Sequence, residues 1–281
     1  MWKRISNIVR SHVVVSTVLL SALFISLLGL LGLLLMDLPH TSGMALFTLG
    51  QLVLSLAAIW LMRKLQVFDR SDFKLRNMGR GFLLGWFNSV FVVIAFLTVF
   101  TQLPANSLVA PQPLDLLVVV LHPFLGTGLF EEVLVRGLVL KLLLLKMGHT
   151  KQGIINACII SSVIFGALHM LNLIHTDVLP VMSQMIYATA IGVFYAALFL
   201  RTKTLLIPIL FHGMVNLSTQ IFYAIVSYDV QQEFLQAQND GGIAAILTNT
   251  LVITIPFFSA GLILLRKVKS EENAGQESAA Q

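Results

Sequence analysis

The chain has 281 residues, 57% hydrophobic and only 11% charged, with a formal net charge of +5. A soluble domain carries about a quarter charged residues, so this composition excludes a soluble globular fold and points to a polytopic membrane protein. The pI near 9.5 does not denote a nucleic-acid partner, because the basic residues are scattered beside apolar runs and form no single patch.

Lys3, Arg4 and Arg10 precede an apolar run over 13–36. That run is longer than a signal-peptide core of about 7–15 residues and is followed by no clear small-x-small site, so we read an uncleaved first span. Seven more spans are expected over 43–62, 81–100, 126–147, 153–171, 178–200, 205–226 and 242–265. Each approaches the roughly 20 residues that a helix needs to cross a bilayer, and strand-like alternation is absent. The fold expected is therefore all-α, a transmembrane bundle of about eight spans with its core on spans four to seven.

The basic residues alternate across these spans. Seventeen of the 18 fall before span one, after spans two, four, six and eight, or in the last turns of span four; the exception, Arg136, is intramembrane. Connections 37–42, 101–113 and 228–241 contain no Lys or Arg. This places both termini in the cytoplasm, in a membrane that we expect to be the bacterial inner one. Trp2 and Trp60 stand at the same boundary as interface anchors. The apolar segment 114–125, broken by His122-Pro123 and Gly126, is either a re-entrant piece or an extension of span four. The expected organisation is 1–112 for three N-terminal spans and loops, 113–226 for the core, 227–269 for the last span and 270–281 for a disordered polar tail. Cys158, the single cysteine, reads as a small core residue.

Span four holds Glu131, Glu132 and Arg136. A charge at a helix centre costs roughly 2.5–3.5 kcal/mol on an insertion scale, whereas each Leu, Val or Phe returns about 0.3–0.6 kcal/mol, so these charges must face protein, water or one another. Glu132 and Arg136 are spaced i,i+4 and can pair; Glu131 lies about 100° round the helix and is left as the free carboxylate. His169, one turn after Phe165, is expected near the outer end of span five. His212 and Asn216 share a face in the middle to outer part of span seven. Three helices thus present polar groups at one level, nearer the non-cytoplasmic face. His122 and His175 read as interfacial. Gln184, Tyr187 and Tyr195 read as interhelical hydrogen-bonding groups, and Gly192 with Ala196 as a close-packing pair.

These segments resemble the CPBP family of intramembrane endopeptidases, also called the CAAX-processing and Abi family. Its EExxxR, FxxxH and HxxxN patterns stand here as Glu131-Glu132-Val-Leu-Val-Arg136, Phe165-Gly-Ala-Leu-His169 and His212-Gly-Met-Val-Asn216. The resemblance implies hydrolysis of a peptide bond in a membrane-associated peptide or protein. Glu131 would activate water with help from His169, His212 and Asn216 would stabilise the oxyanion, and Glu132 with Arg136 would fix the geometry. It leaves the cofactor open: none, or zinc on Glu131, His169 and His212. Two alternatives use the same residues, a proton- or ion-coupled transporter and a non-catalytic immunity or scaffold protein. Against the transporter, the sequence has no inverted repeat.

Overall fold

The computed structural model of the protein describes residues 2–268 except 76, 102, 105, 106, 175 and 241. The expectations for His175 and for the tail 270–281 lie outside the described residues. Eight helices are long and apolar enough to span a membrane, which makes this an all-α polytopic membrane bundle. In chain order the helices are α1 (Trp2–Ser11), α2 (Val13–Leu35), α3 (His40–Lys64), α4 (Met78–Thr101), α5 (Pro113–Met147), α6 (Lys151–Leu168), α7 (Val178–Thr202), α8 (Leu206–Ile225), α9 (Tyr228–Asp240) and α10 (Gly242–Arg266). All but α1 and α9 are spans. Backbone polar groups have no partners in hydrocarbon, so runs of Leu, Val, Ile and Phe close their hydrogen bonds within the helix. Outward residues such as Leu19, Leu23, Leu30 and Leu34 of α2 are exposed, as a lipid-facing surface requires.

The segment 114–125 continues into span four, so α5 begins at Pro113 and not near residue 126. The break expected at His122-Pro123 and Gly126 is absorbed by widening the helix. Residues His122–Gly128 and Val133–Leu140 are π-helical, flanking a short α-helical piece, Leu129–Glu132. A proline lacks an N–H for the regular ladder, and a π turn is one way to pass it without ending the helix. Every residue of Val133–Leu140 is buried, so α5 runs through the centre of the bundle. It shares that position with α7, which packs on α6 and α10. One hydrophobic core joins Val13, Met62, Phe130, Ala157, Val193 and Leu265, residues from all parts of the chain.

One end of the bundle gathers the basic residues. Arg10 Nη2 donates to the Leu65 carbonyl at 3.0 Å, Lys146 Nζ to Ser11 at 3.2 Å and Lys151 Nζ to Arg266 at 2.9 Å. Trp2 and Trp60 meet edge to face there. At the opposite end, the chain before α5 docks on the end of α8, with Val109 N donating to Ile225 O at 2.8 Å and Ser227 N to Ser107 O at 2.8 Å.

The α7–α8 turn at the basic end is recessed. Thr202, Thr204 and Leu205 are buried beneath a short 3-10 segment, Arg70–Phe73. Leu205 N and Thr204 Oγ1 donate to the Asp72 carbonyl at 2.7 and 3.2 Å, and Asn77 Nδ2 donates to Thr202 O at 2.9 Å. The Asp72 carboxylate pairs with Lys141. His212 stands in the second turn of α8, with Asn216 one turn further on.

Candidate active site

The two adjacent glutamates of α5 occupy different surroundings. Arg136 Nη1 donates to Glu132 Oε1 at 2.8 Å, and both side chains are wholly buried. Arg136 Nη2 donates to the Gly192 carbonyl at 3.2 Å. Its guanidinium lies over the Phe165 ring, 4.7 Å from the centroid, and 5.7 Å from that of Tyr195. A side chain at Gly192 would crowd this cation, since a Cβ there falls 3.2 Å from Arg136 Nη2 and 2.9 Å from Ser162 Cβ. The buried charge is thus paired and covered on its faces, the condition under which burying an ion is tolerable.

The Glu131 side chain keeps 17% exposure, against none for Glu132, and it lines a cavity of about 670 Å³. His212 stands between the two carboxylates. Its Nδ1 is 2.8 Å from Glu132 Oε1, and its Nε2 is 3.6 Å from Glu131 Oε2. A carboxylate accepts, so Nδ1 carries the proton it gives to Glu132, and Nε2 is turned toward Glu131 and the cavity. Missing side chains make this approach of α8 to α5 feasible. A Cβ at Gly128 would lie 3.0 Å from Ile209 O, and one at Gly213 would lie 2.2 Å from Phe124 Cδ1.

His169 caps the C-terminus of α6. Its Nδ1 donates to the Phe165 carbonyl at 3.1 Å, which leaves Nε2 as the free nitrogen. The Phe165 ring stands edge-on to both imidazoles, with centroids 5.2 Å from His169 and 5.9 Å from His212. His169, His212, Asn216 and Glu131 all line the one cavity. Its far wall is apolar and comes from Ile25, Leu28, Leu33 and Met36 at the end of α2. The arrangement offers an accessible carboxylate, two imidazole nitrogens and an amide around a space large enough for a peptide segment and water.

Five of the seven motif residues, Glu131, Phe165, His169, His212 and Asn216, line this cavity, and Glu132 with Arg136 joins them through His212. Glu132 pairs with Arg136 as the spacing indicates, but sequence reasoning missed that it also holds His212, because that contact joins residues 80 positions apart. His122 is not interfacial. It is buried in the bundle between Thr48 Oγ1, 2.8 Å from Nδ1, and Thr127 Oγ1, 3.3 Å from Nε2. The buried Tyr195 hydroxyl donates to Asn88 Oδ1 at 3.1 Å, and Gln184 accepts from Asn172 at 2.7 Å while lining the cavity. Thr127 and Gln220, which the sequence did not single out, line it as well. Cys158 is buried and unpaired by disulfide. Among the described residues, no three or more His, Cys, Asp or Glu side chains are gathered so as to hold a metal ion. Glu131, His169 and His212 share the cavity but, as they stand, do not make up a metal-holding group.

The bundle thus sets a carboxylate and two imidazoles on one cavity. Residues 113–218 match the family of type II CAAX prenyl endopeptidases, Rce1-like, and the match contains every residue of the three motifs. The likeness is of this segment, to a family described as prenyl endopeptidases. No curated protein matches the chain.

Proposed function

We propose that the protein is an intramembrane endopeptidase in which Glu131 is the general base. The observation that carries this reading is the unequal fate of the paired acids: Glu132 is held by Arg136 and His212, while Glu131 faces the cavity with His212 Nε2 at 3.6 Å. Glu131 takes a proton from a water, and the hydroxide adds to the scissile carbonyl. His169 Nε2 accepts a hydrogen bond from that water and orients it. The developing oxyanion is stabilised by the Asn216 amide and by His212, which enters the reaction as an imidazolium carrying a second proton taken from solvent and donates throughout from both nitrogens, Nδ1 to Glu132 and Nε2 to the oxyanion. On collapse of the adduct, the proton on Glu131 passes to the leaving amide nitrogen, and the carboxylate is restored.

The substrate in this reading is a membrane-associated peptide or protein, with a prenylated CAAX tail as the first to test. In this reading the membrane is a bacterial inner one and the basic end of the bundle faces the cytoplasm, a direction that the distribution of Lys and Arg supports. The chemistry needs no metal. The experiment is a cleavage screen of membrane-presented peptides, prenylated and unprenylated, with purified wild type and Glu131→Gln. Cleavage lost in the variant and unaffected by chelator is the expected result. Equal cleavage by both proteins rejects Glu131 as the base, and loss of cleavage on chelation, restored by zinc, rejects the metal-free route.

A further inference from the structure

We propose that Thr127 and Gln220 form an anchoring subsite for the main chain of an extended peptide, set beside the catalytic centre on the side away from the basic end. The inference rests on the endopeptidase reading and names how that site grips its substrate. Thr127 precedes Glu131 by four residues on α5, and Gln220 follows Asn216 by four and His212 by eight on α8. All five line the cavity. Helix α5 runs toward the basic end and α8 away from it, so both added residues lie on the same side of the Glu131–His212 contact.

The hydrogen bonds around Thr127 fix what it offers. Thr48 Oγ1 donates its one proton to Met44 O at 2.8 Å, so it accepts from His122 Nδ1. The neutral His122 ring then has a lone pair on Nε2, which accepts the Thr127 hydroxyl proton at 3.3 Å. Gln51 Nε2 donates to Thr127 Oγ1 at 3.4 Å. Gln51 and His122 are 1% and 8% exposed, so solvent does not compete for these bonds. With its proton committed to His122, Thr127 presents the cavity with an acceptor only. Gln220 adds a second acceptor: its Oε1 is buried and has no hydrogen-bond partner among the described residues.

A peptide bond must leave helical geometry to be attacked, and its neighbours then carry N–H groups that an apolar wall cannot satisfy. Two preset acceptors beside the general base match that need. Both oxygens accept and neither reads side-chain identity, so the ligand class is backbone N–H of an unwound segment. Gln220 lies beyond the family-matched segment, and Thr48 and Gln51 lie before it.

The test uses the full-length protein in nanodiscs and a farnesylated heptapeptide ending in Cys-aliphatic-aliphatic-Met, with a set of single backbone N-methyl analogues. Thr127→Val and Gln220→Leu are each expected to raise KM about tenfold with kcat within about twofold, and Thr127→Ser to restore the wild-type value. His122→Phe, at a residue that does not itself line the cavity and reaches it through Thr127, is expected to raise KM in the wild-type background and to do nothing further in Thr127→Val. One N-methyl position is expected to cost the wild type the same factor and to cost Thr127→Val nothing more. A second position is expected to behave likewise with Gln220→Leu. N-methyl effects that persist in full in both variants, with Glu131→Gln inactive, overturn the subsite and leave the endopeptidase reading standing. A wild type that leaves the heptapeptide intact overturns both.

Discussion

A single imidazole clasped by two carboxylates makes the roles of Glu131 and Glu132 separable by experiment. Replacing Glu131 by Gln removes a base from the cavity wall and leaves the Glu132–Arg136 pair and its hold on His212 in place. We expect kcat to fall by about 10²–10⁴ with thermal unfolding unchanged. Replacing Glu132 by Gln leaves the Arg136 charge uncompensated in the core and loosens His212. We expect loss of activity together with about 3–5 kcal/mol of destabilisation, read by unfolding in a fixed detergent. The division between the two acids was legible from residue spacing, since an i,i+4 arginine claims only one of them. The clasp on His212 was not, because it depends on how far α8 sinks toward α5. His122 misled for a related reason. Its neighbours in sequence mark a helix break, while its partner Thr48 comes from a different span.

Among the helices, the number of spans was readable because apolar length alone sets it, and all eight were found. The course of α5 was not readable, because Pro123 and Gly126 are breakers in a regular helix and lose that meaning where the helix widens. This close crossing of α5 and α8 gives a sharp contrast between glycines. A Cβ at Gly128 meets main-chain atoms, Pro123 O at 2.7 Å and Ile209 O at 3.0 Å, which no rotamer change relieves. At Gly29, on the cavity wall of α2, the nearest atom is 3.8 Å away. Gly128→Ala is therefore expected to push α8 off α5 and lower kcat at least tenfold, since catalytic geometry tolerates little displacement, while Gly29→Ala retains wild-type kcat. Equal kcat for the two variants in a cleavage assay would show that the crossing does not set the distance between His212 and Glu131.

Across the whole molecule, the basic end is closed by a polar latch in which Asp72 serves two groups. Its carbonyl holds the α7–α8 turn and its carboxylate holds Lys141. Burial raises the Asp72 carboxyl above its ordinary value, although Lys141 and the Asp69 amide pull it down. The folded state then keeps a proton that the unfolded chain has lost, so stability falls as pH rises from about 3.8 through the raised value. Asp72→Asn retains the carbonyl contacts and cannot titrate. It is expected to flatten that fall and to unfold no more easily than wild type at neutral pH. Lys141→Met leaves a buried carboxylate without its cation and is expected to cost about 3 kcal/mol. A thermal unfolding series from pH 4 to 7 checks both. This latch was not legible beforehand, because the charge pattern assigned Lys141 and the loop residues to topology alone. The bundle itself was legible, from apolar lengths and alternating charge.

The wall of the cavity formed by α2 has a consequence for how such a protein changes over time. Glu131, His169, His212 and Asn216 lie within the matched segment, but Ile25, Leu28, Leu33 and Met36 lie outside it, along or just past a span with few buried residues. Mutations there reshape what fits beside the reacting bond and leave the reaction untouched. On the endopeptidase reading, changes confined to α2 redirect one chemistry to new targets.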